Sequence, residues 1–194
     1  KATLVAKLAI DAQGRIAGFL IQPAQAPVAP AAAVAEDAAF VERDFSVGEG
    51  ERALPGTLAM PKGDGPFAAH DRDETVGPNK PFLDIARGLA AHGIAVLRFD
   101  KRSKARPQDF TNATFGVDDE TTNDAVLAVD ALRKAEGIDP ARVFVLGHSQ
   151  GGMLAPRIAA VSGHVAGLVL MAAPARSLLD IVIEQNRRLA VLDD

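Results

Sequence analysis

The sequence contains no cysteine, which removes disulfides, thiolate metal ligands and a cysteine nucleophile from consideration. That absence is compatible with any compartment. No stretch reaches the roughly 18 uninterrupted apolar residues of a membrane span. Lys1 is followed by no signal-like apolar run, and without an initiator Met the natural N-terminus is expected upstream. A large positive field is also missing, since 21 Lys and Arg stand against 25 Asp and Glu for a net charge of −4. No basic run interleaves with aromatics, so nucleic-acid binding is not expected. No period of about 20 to 50 residues recurs, which leaves solenoids and propellers unsupported.

What is present is a chain of 194 residues, 48% apolar and 24% charged, enough for one domain of ordinary size or one domain plus the edge of another. Residues 1–21 alternate apolar and polar (Leu4, Ala6, Leu8, Ile10, then Ile16, Gly18, Leu20) about a break at Asp11-Ala-Gln-Gly14, which predicts a β-hairpin. A lone hairpin is marginal in water, so it is expected to be the end of a small upstream domain. Residues 22–39 shift to Pro and Ala and predict a semi-rigid linker. Residues 40–194 form the main domain.

That domain begins with two strands, Phe40–Val47 and Arg52–Met60, joined at Gly48-Glu-Gly50. Helical spacing then appears over Pro81–His92 (Phe82, Ile85, Ala86, Leu89, with Asn79 near the cap), Thr121–Glu136 (Ala125, Ala128, Val129, Leu132) and Gln150–Val161 (Leu154, Ile158, Val161 inward). Apolar strands are expected at Ile94–Phe99, Arg142–Leu146 and Val165–Met171. Strands alternating with helices predict an α/β fold, a mostly parallel sheet covered on both faces.

Chemistry concentrates at Gly147-His-Ser-Gln-Gly151, which sets Ser149 in a G-x-S-x-G pattern between a buried strand and a helix. A serine hydroxyl attacks poorly unless a base removes its proton, so it must be lifted clear of the sheet towards one. Gly147 and Gly151 leave room for that tight turn around His148. The backbone N–H of Gln150, opening the next helix, can donate to the oxyanion formed when Ser149 attacks a carbonyl, and the helix dipole points the same way.

On these residues the chain from about Phe40 to Asp194 resembles the α/β-hydrolase superfamily, in the bacterial esterase branch related to dienelactone hydrolases and serine aminopeptidase-type hydrolases. Leu54-Pro-Gly-Thr-Leu58, His70-Asp-Arg-Asp-Glu74, Gly77-Pro-Asn-Lys-Pro81 and Val96-Leu-Arg-Phe-Asp-Lys-Arg102 carry the likeness further. The hairpin around Asp11-Ala-Gln-Gly-Arg-Ile16 resembles the end of a small cystatin-like or NTF2-like domain. The resemblance implies a three-layer α/β-hydrolase fold and a serine hydrolase cleaving carboxylic esters through an acyl-enzyme on Ser149. It implies a small-molecule ester substrate, no metal and no organic cofactor, and a secreted or periplasmic setting. Oligomeric state is not implied.

The pattern departs from the family in two places. A central strand with a His-Gly-x-Gly type loop supplies the second oxyanion donor in this fold, yet here Gly65-Pro-Phe-Ala-Ala69 runs straight into His70. A missing strand is therefore expected near residues 69 and 70. The triad order is Ser, then Asp or Glu, then His. However, all four histidines, His70, His92, His148 and His164, are poorly placed to be the base: His148 lies inside the elbow, His92 at a helix end and His164 in the turn before a strand. After Ser149 the acidic residues are Asp180, Glu184, Asp193 and Asp194, on a segment resembling the family's cap helix. Base, acid and second oxyanion donor are expected outside these 194 residues, in a longer protein.

Other charged groups have plainer readings. The loop His70, Asp71, Arg72, Asp73, Glu74 could shape a substrate pocket, although a mixed-charge loop is more often internally paired, and metal binding there is not favoured. Asp100-Lys-Arg102 reads as a salt-bridged strand end, and Asp118 to Glu120 as acidic residues favouring a helix N-terminus. Thioesterase, peptidase and acyltransferase chemistry use the same elbow. A non-catalytic binding module on a hydrolase fold is the alternative from another class.

Overall fold

The structure, a computed structural model, describes residues 4–10, 16–23, 39–62, 73, 79–110 and 116–192. At the N-terminus β1 (Leu4–Ile10) pairs antiparallel with β2 (Ile16–Pro23), Leu4 opposite Pro23, with a register shift between Ala9 and Ile10. The hairpin is thus where alternation places it. Its turn at Asp11 to Gly14 and the linker after Pro23 lie outside the described residues up to Ala39.

Further along the chain β3 (Phe40–Val47) and β4 (Leu54–Pro61) run antiparallel, with Val47 opposite Leu54. Their connection uses Gly48 and Gly50 at φ of 82° and 61°, conformations that cost glycine little, followed by a 3₁₀ turn at Gly50–Arg52. Helix α1 (Pro81–Ala91) starts with proline in its first turn, and Lys80, not Asn79, is the cap residue. Proline fits there because the first N–H groups of a helix have no intrahelical acceptor. Strand β5 (Val96–Phe99) pairs antiparallel with β4, and all four of its residues are buried. A Cβ on Gly56 would lie 2.8 Å from the Arg98 carbonyl oxygen, so the close approach of β4 to β5 depends on that glycine.

A short helix α2 (Arg102–Ala105) follows, then one π turn over Asp118–Thr122 leading directly into α3 (Asn123–Arg133). Strand β6 (Phe144–His148), helix α4 (Gln150–Ser162), strand β7 (Gly167–Met171) and helix α5 (Leu178–Leu192) complete the order. β6 and β7 are parallel, Phe144 opposite Gly167 and His148 opposite Met171. Pro156 sits inside α4, where it removes one hydrogen bond from the ladder.

One core joins both groups of strands: Leu54, Leu58, Leu97 and Phe99 from β4 and β5 pack in the same cluster as Val129 and Leu132 of α3, Val145 of β6 and Ile158 of α4. Among the described residues, however, β5 is hydrogen-bonded only to β4, and β6 only to β7, so the core spans two separate sheets. The segment around residues 69 and 70, where a missing strand was expected, lies outside the described residues.

Three expectations need correction. β6 begins and ends two residues later than its apolar run, because it continues through Gly147 and His148 to the turn at Ser149. Val161 is 60% exposed and does not face inward. β7 is not covered on both faces, since the successive residues Val169 and Leu170, which point to opposite sides of a strand, are 46% and 50% exposed.

Candidate active site

The elbow is built by a strand that must stop and a helix that must start with no residue between them except Ser149. Ser149 takes φ 52° and ψ −119°, a region that L-residues enter only when the surroundings over-determine it. Two backbone hydrogen bonds hold it there: its N–H donates to the Met171 carbonyl at 2.9 Å, and its carbonyl accepts from Met153 N–H at 3.0 Å. The first ties the elbow to β7 and the second to the first turn of α4. Ser149 itself is exposed.

Sterics explain the glycines around it. A Cβ on Gly147 would collide with the Gly151 carbonyl group and come within 2.6 Å of Gly152 N. A Cβ on Gly152 would lie 2.7 Å from the Ala173 Cβ and 2.8 Å from the Gly147 oxygen. Strand, helix and the chain leaving β7 therefore meet at van der Waals distance, and Gly151 and Gly152 are buried at the contact. Ala172, beside them, also has a positive φ of 47°.

Gln150 is the first residue of α4, so its N–H belongs to the helix turn that lacks intrahelical acceptors. This places a donor and the positive end of the helix dipole at the elbow, where a developing oxyanion would sit. The His148 ring stands edge-on to Phe82 of α1, with centroids 6.0 Å apart and planes at 80°.

The remaining candidates are distributed differently. Of the loop His70 to Glu74, only Asp73 lies among the described residues; it accepts from Lys80 Nζ at 3.2 Å and is ion-paired with Arg98. His70, Asp71, Arg72 and Glu74 fall outside them. His92 caps the end of α1 and shares a 2.8 Å hydrogen bond between Nδ1 and the Gly88 carbonyl. His164 follows α4, whose 13 residues at about 1.5 Å each put it roughly 20 Å along the chain axis from the elbow. Glu184 pairs with Arg176 and Arg188, and the Arg176 hydrogen bond, then the Arg188 charge, hold its carboxyl below the ordinary range. An acid neutralised in this way is a structural partner.

Asp100 and Arg102 are ion-paired as expected of a strand end: Lys104 reaches Asp100 at 2.7 Å, and Arg102 grips buried Asp124 at 2.5 and 3.0 Å. A cavity of about 780 Å³ opens beside this cluster, lined by Glu49, Arg102, Asp109, Asp124 and Leu127 among others. It does not include Ser149, and its Arg102, Asp109 and Asp124 satisfy one another, so the elbow is the stronger chemical candidate. Asp118 pairs with Arg157 of α4.

Sequence reasoning missed two contributors. The Met171 carbonyl is invisible to a side-chain motif, and the partnership of Arg98 with Glu42 and Asp73 joins residues 56 and 25 positions apart. The only signal for Arg98 was a charge inside an otherwise apolar strand. No helix among the described residues is long and apolar enough to cross a membrane.

The geometry agrees with comparisons to known proteins. The profile of the alpha/beta hydrolase family matches residues 78–193. Esterase EstD of Thermotoga maritima is 39% identical over 96% of this chain, and the chain spans 45% of that relative's length. Among solved structures, brefeldin A esterase, described as a bacterial homologue of human hormone-sensitive lipase, matches 75% of this chain and 43% of its own with a TM-score of 0.51 at 20% identity. Dienelactone hydrolase from Anabaena variabilis matches 67% of this chain and 62% of its own, with a TM-score of 0.51 at 22% identity. The family match covers the elbow, α3, α4 and the last helix, and on that evidence the chain belongs to the alpha/beta hydrolase family.

Proposed function

We propose that the protein is a serine hydrolase that cleaves carboxylic esters of small molecules. Ser149 Oγ attacks the acyl carbon as its proton passes to a base, and the Gln150 N–H receives the charge on the carbonyl oxygen. The alcohol leaves with the transferred proton, and water then releases the acid from the acyl-enzyme. In this reading residues 40–194 are the hydrolase domain, 22–39 the linker and 1–21 the end of a small domain. The observation that carries this reading is the backbone of Ser149, held at positive φ at the head of α4. A relative called an esterase at 39% identity supports the ester substrate class.

The competing reading, a binding module without catalysis, is favoured by the positions of His92 and His164 away from the elbow. Intact mass spectrometry with a fluorophosphonate probe, together with hydrolysis of short p-nitrophenyl esters, separates the two. A single adduct and ester turnover, both lost in Ser149→Ala, are expected. A protein that takes no adduct and turns over no ester would be the binding module.

A further inference from the structure

Arg98 is 3% exposed, in the middle of a strand whose other members are apolar. Its Nη2 donates to Glu42 Oε1 of β3 at 3.0 Å, and its Nη1 to Asp73. Each carboxylate is shared with a second cation on or beside α1. Glu42 also accepts from Arg87 Nη2 at 2.8 Å and Nε at 3.3 Å, and Asp73 from the cap residue Lys80 at 3.2 Å. One buried guanidinium thus collects two ion pairs, and both lead to the same helix.

Stability alone is a weak account of such a hub. Removing a guanidinium from water is costly before its partners repay any of it, and apolar side chains of similar volume often serve a core as well or better. What two carboxylates on a planar fork do supply is geometry. Here the geometry is that of α1: Lys80 fixes its first turn and Arg87 its middle, which sets both its rotation and its height over the sheet. The residue that α1 carries between those anchors is Phe82, whose ring meets His148 next to Ser149.

We propose that Arg98 is a positioning residue for the elbow, fixing α1 through Asp73 and Glu42 so that Phe82 holds His148, and with it the turn at Ser149, in place. The catalytic part of this proposal rests on Ser149 being the nucleophile. The anchoring part does not.

Two readouts on the purified protein test the parts separately. The ring-proton resonances of His148, assigned by their loss in His148→Gln, report the edge contact with Phe82. The rate of fluorophosphonate labelling at saturating probe reports Ser149. Asp73 is partly exposed, so Asp73→Asn should fold even where Arg98→Met does not. In Asp73→Asn the His148 resonances should move and saturated labelling should slow by about tenfold or more, the scale of a misplacement below 1 Å. Half-saturation by the probe should stay unchanged, and Asp73→Glu should restore both signals. Unmoved His148 resonances in Asp73→Asn and Arg98→Met would overturn the anchoring. Moved resonances with an unchanged labelling rate would overturn the positioning role. A wild-type protein that takes no adduct while the resonances still respond would remove Ser149 as nucleophile and leave the anchoring standing.

Discussion

Strands β5 and β7 are both short, both apolar and both contribute to an α/β layer, yet their surroundings are opposite. β5 buries every residue, and the one charge it carries is matched by two carboxylates. β7 buries none fully and exposes valine and leucine on its two faces. Around β5 the molecule is held by packing and by ion pairs that cross between elements, from strand to helix as Glu42 to Arg87 and from helix to helix as Arg102 to Asp124. Around β7 shape is held by backbone contacts instead: Gly147 against Gly151, Gly152 against Ala173, Ser149 N–H on the Met171 carbonyl. Side chains fix the first region and mostly main chain the second, with the Phe82–His148 contact joining the two, so substitutions should be felt through different terms in each.

The largest effect should come from the charge-held side. Asp124 is 2% exposed and its carboxylate is gripped by Arg102, so Asp124→Ala leaves the half-buried Arg102 with Asp109 as its remaining carboxylate and is expected to cost up to about 3–5 kcal/mol, measured by urea unfolding. A loss below about 1 kcal/mol would mean that packing, not charge, closes this region. Next comes a matched pair of truncations. Leu132→Ala in the shared core should cost about 2–5 kcal/mol, whereas Leu170→Ala on β7 should stay within about 0.5 kcal/mol. Equal losses would show that β7 is as well covered as β5. The smallest effect is a pH dependence. The Arg106 hydrogen bond, then that from Arg102, lowers the Asp109 pKa, so the folded form releases its proton more readily than the unfolded one. That stabilisation is complete above the ordinary carboxylate pKa of about 4 and is lost as pH falls through the lower folded value. The melting-temperature gap between wild type and Asp109→Asn should therefore shrink from about pH 5 towards acid; a gap independent of pH would remove Asp109 from the account.

The comparison also marks where the sequence could be read. Helical spacing located α1, α3 and α4 to within a few residues, because the buried sets Phe82 and Ala86, Ala125 to Leu132, and Leu154 and Ile158 each form one stripe. The elbow was legible because its glycines answer a local steric demand. The end of β6 was not, since Gly147 and His148 carry no apolar signal and are held in the strand by pairing with β7. Nor was the exposure of Val161, Val169 and Leu170: apolarity states what a residue would gain from burial, not what lies over it. The Arg98 hub was hidden for a different reason, because its partners come from distant parts of the chain. The π turn before α3 left no pattern to distinguish it from an ordinary first turn.

The backbone of Ser149 bears on how this chain would change under selection. Its φ and ψ are roughly the mirror image of a common extended conformation, open to glycine and costly, by about 1–3 kcal/mol, to any residue with a side chain. Glycine at 149 would relieve that cost while leaving the bonds to Met171 and Met153 available, since both use main-chain atoms. With Ser149 as the proposed nucleophile, a laboratory evolution scored on heat resistance alone would discard the serine early, and only a screen that also demands turnover would keep it. In that reading stability and chemistry compete at a single residue.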